Sequence, residues 1–161
     1  MTYYIFIQNE RLNGCGQARQ LTEGVTNLEV EETLYNAYAE NPDMYIWDGT
    51  AVVIDPEYEA KQAQKERERI AKLYLTGADV ERGIYQAKGM DFDDIIAMVT
   101  ELQPEGLDVK ALKIELKANN FYRGNPYVNA VGALLGFTSE QLDAFFETND
   151  WNVLITIEQF N

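Results

Sequence analysis

Residues 55–75 read DPEYEAKQAQKERERIAKLYL, and this stretch divides the chain into two parts of different character. Asp55 is a good helix N-cap, and Pro56 suits the first helical position because its missing N–H is not needed there. The middle of the stretch is mostly polar. Its C-terminal end carries apolar residues: Ile70, Leu73 and Tyr74. We therefore predict a solvated connector helix that runs to about residue 75.

The part of the chain before this connector, residues 1–55, is predicted to be a small antiparallel β module. Tyr3–Ile7 is a short run of aromatic and β-branched residues, which is typical of a buried strand. Val25–Val30 is a second short strand and leads into a helix over residues 31–40, which Pro42 stops. Three glycines punctuate the segment between the two strands: Gly14, Gly16 and Gly24.

The clearest local signal in this module is a hairpin. Met44–Trp47 and Ala51–Ile54 are two short apolar runs, and Asp48-Gly49 lies between them. Because Asp-Gly favours the positive φ angles of a type I′ turn, we predict two antiparallel strands joined by that turn.

The part after the connector, residues 76–161, is predicted to be a helical bundle. Thr76 with Asp79 resembles a capping box and begins the first helix, which Gly89 ends. A helix over residues 91–102 carries apolar residues at i, i+3, i+4 and i+7, the stripe of a helix with one buried face. Further helices begin at capping signals: Asp108, Asn125-Pro126 and Thr138 with Gln141.

Two segments of this second part are predicted not to be helical. Residues 119–124 break the helical pattern. Residues 151–160 alternate imperfectly between apolar and polar positions, so a strand on the N-terminal sheet and an unpaired tail both remain open. The predicted class is α+β, with a β module over 1–55, a connector helix over 56–75 and a helical module over 76–161.

The residues that are absent restrict the chemistry. The chain has no histidine, the commonest general base near neutral pH and a common metal ligand, so triads, dyads and zinc sites that need histidine are excluded. The one cysteine, Cys15, lies between two glycines, but no familiar base is present to activate its thiol. We predict a protein that is not an enzyme and that uses no cofactor and no metal.

The charge restricts the partners. The chain carries 27 acidic and 13 basic residues, a formal net charge of −14. Nucleic acids and anionic lipids select clustered Lys and Arg, so we expect neither nucleic acid nor membrane as a direct partner and favour a basic protein. A single cysteine forms no internal disulfide, which is compatible with a reducing cytoplasm. We also expect no secretion leader and no membrane span.

Two motifs, the acids at residues 91–94 and the helix pair at 126–135 and 139–148, have structural interpretations that we prefer to functional ones. Asp91, Asp93 and Asp94 resemble the start of a calcium loop, but the EF-hand pattern needs Gly and Glu where this chain has Ile96 and Leu102. We interpret these acids as a helix first turn that complements the helix dipole.

The helices predicted at 126–135 and 139–148 have the spacing of a helix-turn-helix. The second helix would present only acids to the DNA backbone, so we predict a packed helical hairpin instead. These acids are Glu140, Asp143 and Glu147.

Phe121, Tyr122 and Arg123 place two aromatic rings and a guanidinium together in the predicted break. This composition is enriched in protein interfaces, so the three residues are interface candidates. Aromatic side chains that fill the helical core are the alternative, and both interpretations remain open.

The hairpin, Asp55-Pro56 and the charged connector helix, together with the N-terminal strand, resemble small accessory proteins encoded in phage and prophage tail modules, among them tail-fibre assembly proteins. Further similar stretches are LYLTGADV at 73–80, IYQAKG at 84–89, FYRGNP at 121–126 and ALLGFT at 133–138. The resemblance implies a non-enzymatic protein that binds a tail-fibre or baseplate protein, as an assembly chaperone or as a minor tail component. It implies a location in the host bacterial cytoplasm or in the virion, and no catalytic residues.

The charge itself supports a second hypothesis, an inhibitor of a host defence nuclease such as an anti-CRISPR protein. Acidic side chains can imitate DNA phosphates and enter a nuclease channel lined with Lys and Arg. The candidate residues are Glu29, Glu31, Glu32, Asp91, Asp93 and Asp94. Acidity that only aids solubility is the alternative.

Overall fold

The computed structural model describes residues 1–155 and confirms the α+β class, with an N-terminal three-stranded antiparallel sheet followed by helices. The chain divides into two compact units, and the division falls between Gln64 and Lys65. This position lies inside the helix Tyr58–Ala71. Each unit is described by itself below.

The first unit is built on a sheet in which β1, Tyr3–Gln8, lies between β2, Arg11–Gly16, and β3, Val25–Val30. Both neighbours pair with β1 in the antiparallel sense. Four successive side chains of β1, from Tyr4 to Ile7, are buried, and Ile5 is fully inaccessible. The strands predicted from the apolar runs at 3–7 and 25–30 are confirmed.

Strand β2 was missed in the sequence, which shows only glycine punctuation there. Ile5 faces Cys15 and Ile7 faces Leu12, so the extra residue of β2 forms a β-bulge. Gly14 has a φ of 111°, a conformation that favours glycine. A Cβ atom on Gly16 would lie 3.0 Å from Cζ of the Phe6 ring. The glycines therefore mark a bulge and a close approach of the strand to a ring, and not a loop.

Helix α1, Glu32–Glu40, confirms the helix predicted over residues 31–40 and is attached to the sheet by tyrosines. The Tyr38 side chain is buried, and its hydroxyl accepts a hydrogen bond from the Gly14 backbone N at 3.2 Å. The Tyr3 hydroxyl donates to the Glu32 carboxylate at 2.7 Å, and this bond raises the pKa of Tyr3. A 3-10 turn, Pro42–Met44, follows the helix.

The predicted hairpin is confirmed, but its predicted turn is wrong. β4, Tyr45–Trp47, pairs with β5, Val52–Ile54. The turn is centred on Gly49 and Thr50, one residue later than predicted, and only Gly49 among its residues has a positive φ. The Asp48 carboxylate accepts hydrogen bonds from the Ala51 and Thr50 backbone N atoms, both at 2.8 Å, which lower the pKa of Asp48.

Helix α2, Tyr58–Ala71, is the predicted connector, but it ends at Ala71 and not near residue 75. At its start, the Asp55 carboxylate accepts hydrogen bonds from Lys61 Nζ at 2.8 Å and from the Glu57 backbone N at 2.9 Å. Both bonds, that of Lys61 first, lower the pKa of Asp55. The prediction of Asp55 as the N-cap and of Pro56 as the first helical residue is wrong, because the helix begins at Tyr58 and the bond from the Tyr58 backbone N to the Asp55 carbonyl belongs to the turn before it.

Two strands in the second unit replace segments predicted as helix and as a break. β6, Tyr74–Thr76, pairs antiparallel with β7, Asn120–Tyr122. Leu75 faces Phe121 in this pairing, and both side chains are buried in the core. Residues 73–75 favour a helix locally, but pairing with a strand that is distant in sequence overrides this preference. No local sequence pattern reveals that pairing.

The helices of the second unit follow their predicted capping signals. The structure has α3, Gly77–Lys88; α4, Phe92–Leu102; α5, Val109–Glu115; α6, Pro126–Leu134; and α7, Ser139–Thr148. The N-cap side chains accept backbone hydrogen bonds at the start of each helix: Thr76, Asp91, Asp108, Asn125 and Thr138. Gly89 ends α3 with a φ of 71°. The predicted helical module is therefore confirmed.

The core of this unit lies between the helices and the β6–β7 ribbon. Ile95 and Val99 of the amphipathic stripe are fully buried, as is Leu112 of α5. Phe145 of α7 is 2% exposed and contacts the Phe146 ring edge-on. The strand that was one alternative for residues 151–160 is wrong at Trp151–Leu154, which is a 3-10 helix. The rest of that segment, beyond residue 155, lies outside the described residues.

Gly83 gives a test of this core. A Cβ atom there would lie 2.3 Å from Cζ of the buried Phe145 ring. We expect Gly83→Ala to destabilise the protein by about 1–3 kcal/mol, because the strain of overpacking exceeds the gain in helix propensity. The measurement is urea unfolding. Gln86→Ala, on the exposed face of the same helix, is the control and should change stability by less than about 0.5 kcal/mol. Equal stabilities of the two variants would contradict the packing.

Candidate protein-binding surfaces

The outer edge of β3 is the first candidate surface. β3 pairs with β1 on one side, and no further described strand pairs with its other side. Thr26 and Glu29 are exposed on this strand. An edge strand presents a row of backbone N–H and C=O groups that an extended segment of another protein can pair with. At the opposite edge of the sheet, β2 lies next to β4.

The loop after β2 contacts two strands of the sheet, through Asn27 of β3 and Tyr4 of β1. The Asn27 side chain exchanges two hydrogen bonds with the Gln20 backbone, at 2.7 and 3.0 Å. The Arg19 guanidinium lies 5.5 Å from the centre of the Tyr4 ring. These contacts attach the loop to the central strand and to the edge strand of the sheet.

The six candidate carboxylates are all exposed. Glu29 lies in β3, Glu31 is the N-cap of α1 and Glu32 begins that helix. Within the described residues none of the six forms a salt bridge. The first unit carries 11 acidic and three basic residues, a formal net charge of −8. Exposure and the absence of a salt bridge are thus common to the six carboxylates, although Glu32 accepts a hydrogen bond from the Tyr3 hydroxyl.

Asp91, Asp93 and Asp94 lie at the start of α4, as the sequence predicts. The Asp91 carboxylate accepts from the Asp94 backbone N at 2.9 Å, and the Asp94 carboxylate accepts from the Asp91 backbone N at 3.1 Å. This capping box uses one oxygen of each carboxylate for the helix end. Among residues 1–155, no cluster of three or more potential ligand side chains is positioned to hold a metal ion.

The three residues Phe121, Tyr122 and Arg123 have different environments. Phe121 is 6% exposed, and its ring centre lies 5.6 Å from that of Phe92 in the core. Tyr122 is 52% exposed. Arg123 is buried within the second unit. Of the three interface candidates, Tyr122 is the one whose side chain reaches the surface.

Tyr122 belongs to an exposed aromatic pair that the sequence analysis missed. It lies opposite Tyr74 in the β6–β7 ribbon, with 5.8 Å between the ring centres, and Tyr74 is 58% exposed. Tyrosine pairs of this kind are frequent in interfaces because they combine a large apolar area with a polar hydroxyl. The sequence analysis placed Tyr74 in the connector helix. The aromatic pair could not be predicted from the sequence, because it depends on the register between β6 and β7, which only the tertiary structure defines.

The buried Arg123 is held by side chains from α6 and α7. Nη1 donates to Asn129 Oδ1 at 2.6 Å, and Nη2 donates to Ser139 Oγ at 2.9 Å and to its carbonyl oxygen at 3.3 Å. Nε lies 2.6 Å from Asp143 Oδ1, yet it has no hydrogen-bond acceptor among the described residues. The contact with Asp143 is therefore an ion pair in which the carboxylate oxygen lies away from the direction of the N–H bond.

The remaining candidates of the sequence lie in structural settings. Cys15 is half-buried opposite Ile5 in β2. Burial and, less strongly, the Cys15 side chain raise the pKa of the neighbouring Tyr35. The predicted helical hairpin is formed by α6 and α7, and Glu147 of α7 pairs with Arg69 at 2.8 Å.

Phe121 and Tyr122 give a matched test of these placements. We expect Phe121→Ala to destabilise the protein by about 3–5 kcal/mol, because it opens a cavity in the core. Tyr122→Ala removes an exposed cross-strand pair and should cost about 0.2–1 kcal/mol. The measurement is urea unfolding of both variants. A larger loss of stability for Tyr122→Ala than for Phe121→Ala would show that Tyr122, and not Phe121, faces the core.

No helix among residues 1–155 is long and apolar enough to cross a membrane. Comparison of the chain with protein-family models, curated proteins and solved structures finds no match. A function for this chain therefore has to be proposed from its own residues and their geometry.

Proposed function

We propose that this chain is a non-enzymatic phage protein that binds another protein, as an assembly chaperone for a tail fibre or baseplate or as a minor tail component. The observation that carries the proposal is the outer edge of β3, which ends a sheet whose central strand is buried. The resemblance of the sequence to tail-module accessory proteins supports the choice of partner.

The physical basis is strand addition. Fibre proteins expose strand edges and apolar surface before they form trimers, and such edges pair with the free edge of another sheet. Main-chain hydrogen bonds along Val25–Val30 would supply the affinity, and side chains on the strand would supply the register. Exposed Glu29 favours a partner segment with Lys or Arg at the matching position.

The test is binding of the purified chain to the co-encoded tail-fibre or baseplate protein, followed by amide hydrogen exchange. We expect slower exchange in the complex for the outward-facing amides of β3, and unchanged exchange in β2. Thr26→Lys places a charge on the exposed edge and should weaken binding about tenfold, because edge lysines oppose strand pairing.

Thr22→Lys is the matched control, since it adds the same charge in the exposed loop just before β3. It should leave the affinity within about twofold of the wild type, as expected for a surface change away from the contact. Protection confined to other elements, or equal losses in both variants, would reject the β3 edge. Absence of any binding to the co-encoded proteins would reject the function itself.

A second candidate function, inhibition of a host defence nuclease, is favoured by the six exposed carboxylates that form no salt bridge within the described residues. Three of these carboxylates lie in each unit, and a channel lined with Lys and Arg would attract either group rapidly, with an attraction that weakens with salt.

This candidate is tested by neutralising the six carboxylates in one variant. Glutamates become Gln and aspartates become Asn, because Asn retains the N-cap function at Asp91. We expect the variant to lose inhibition of a purified CRISPR nuclease, measured as DNA cleavage. The control neutralises six other exposed acids to Gln: Glu10, Glu23, Glu40, Glu101, Glu105 and Glu140. Equal inhibition by both variants would reject imitation of DNA by the chosen acids.

A further inference from the structure

Asn13 is the one asparagine of the chain that a glycine follows, and both residues lie in the bulge of β2. The register of β2 against β1 shifts between Ile5 and Ile7, so Asn13 and Gly14 together lie opposite Phe6. Asn13 is exposed, and Gly14 has a φ of 111°. The pair therefore lies outside the regular ladder of the sheet and within reach of water.

An Asn-Gly pair rearranges by a reaction between neighbouring groups. The Gly14 backbone N, after losing its proton to hydroxide, attacks Asn13 Cγ. A succinimide ring closes as the Cγ–Nδ2 bond breaks, and Nδ2 leaves as ammonia with a proton from water. Water then opens the ring at either carbonyl and gives aspartate or isoaspartate at position 13. Glycine permits the attack because it has no side chain to obstruct the ring and adopts φ angles that other residues avoid.

One hydrogen bond holds the attacking nitrogen in its protonated form. The Gly14 backbone N donates to the Tyr38 hydroxyl at 3.2 Å. Tyr38 is buried, and burial raises the pKa of its hydroxyl, so the hydroxyl stays neutral and does not take the proton. Asn13 Nδ2 donates to Gln8 Oε1 at 2.9 Å, but this bond is exposed and water competes with it. The nucleophile is thus restrained by a buried partner, whereas the group that it attacks is held only at the surface.

Two other pairs of the first unit have related sequences but do not favour the reaction. Asn9 is exposed in the turn before β2, but Glu10 follows it, and the Glu10 side chain obstructs the attack. Asp48-Gly49 has the same spacing as Asn13-Gly14. The Asp48 carboxylate accepts two backbone hydrogen bonds of the hairpin turn, which lower its pKa, and an ionised carboxylate resists a nucleophile.

We propose that Asn13 of the folded chain is a site of spontaneous deamidation, at a rate that the hydrogen bond from Gly14 to Tyr38 restrains. Both products add a negative charge to the first unit, and the isoaspartate form also adds a carbon atom to the backbone of β2. Strand β1 separates this site from the β3 edge. The test of this proposal and the test of the proposed function can therefore succeed or fail separately.

The experiment is incubation of the full native chain in a mildly alkaline buffer, with the chain unfolded in urea as the reference. Trypsin cuts after Arg11 and Arg19, and mass spectrometry of peptide 12–19 measures the replacement of the side-chain NH₂ by OH. Fragment ions assign the change to residue 13, and a separately eluting isoaspartate peptide identifies the succinimide route. We expect a first-order reaction at Asn13 that is faster than any at Asn9. It should be about fivefold slower in the native chain than in urea, the factor that corresponds to one hydrogen bond.

Two tyrosine variants of α1 make the result specific. Tyr38→Phe removes the acceptor of the Gly14 N–H and should accelerate the native reaction about fivefold. Tyr35→Phe removes from the same helix a hydroxyl that neighbours Cys15 instead, and its rate should stay within about twofold of the wild type.

Urea unfolding of each variant separates local reactivity from global unfolding. The unfolded fraction multiplied by the rate in urea gives the rate that global unfolding supplies, and the native rate of Tyr38→Phe should exceed this product. Three results would overturn the proposal: no mass change at Asn13 in the native chain, equal rates in the two tyrosine variants, or a Tyr38→Phe rate no greater than the product.

Discussion

Backbone hydrogen bonds between residues 71–77 and residues 119–124 join segments that are distant in sequence, and the second unit depends on them. Gly77 N donates to Asn119 O at 2.8 Å, and Gly124 N donates to Ala71 O at 3.1 Å, so the contact extends beyond the two short strands. A Cβ atom on Gly124 would lie 2.9 Å from Ala71 Cβ. Glycine is required where the two backbones approach most closely.

This pairing determines what each consecutive side chain does. Alternation along a strand turns Phe121 into the core and Tyr122 toward solvent, where it meets Tyr74. Arg123 N donates to Leu73 O at 2.8 Å, and its guanidinium pairs with Asp143. One ribbon thereby supplies a core contact, an exposed aromatic pair and a buried ion pair. A shift of register by one residue would exchange the positions of Phe121 and Tyr122.

The parts of the fold that were predictable from the sequence are those with local causes. Helix caps such as Thr138 with Gln141 form within a few residues, and the stripe that buries Ile95 and Val99 is visible in one segment. Strand β2 was missed because glycines interrupt it, β6 because its residues follow a helical pattern, and β7 because three residues within a break in the helices give too short a signal. They form because partners elsewhere in the chain bury their side chains and satisfy their backbone groups.

The same distinction applies to the candidate surfaces. The exposure of Glu29 or Asp93 follows from the cost of burying a charge and needs no tertiary knowledge. The burial of Arg123 is contrary to that expectation, because it depends on an acid and neutral acceptors that α6 and α7 bring to it. Sequence reasoning therefore named Arg123 only as an interface candidate, because the partners that compensate its burial could not be identified without the tertiary structure.

Charge and hydrogen bonding distinguish the two units. The first unit has an excess of exposed acids and a strand edge that no further described strand pairs with, a combination that suits an extended, basic protein segment. In the second unit the buried Arg123 pairs with Asp143 and donates to Asn129 and Ser139, so its charge is compensated inside the fold. Arg123 thereby joins α6 and α7 to the end of the β6–β7 ribbon.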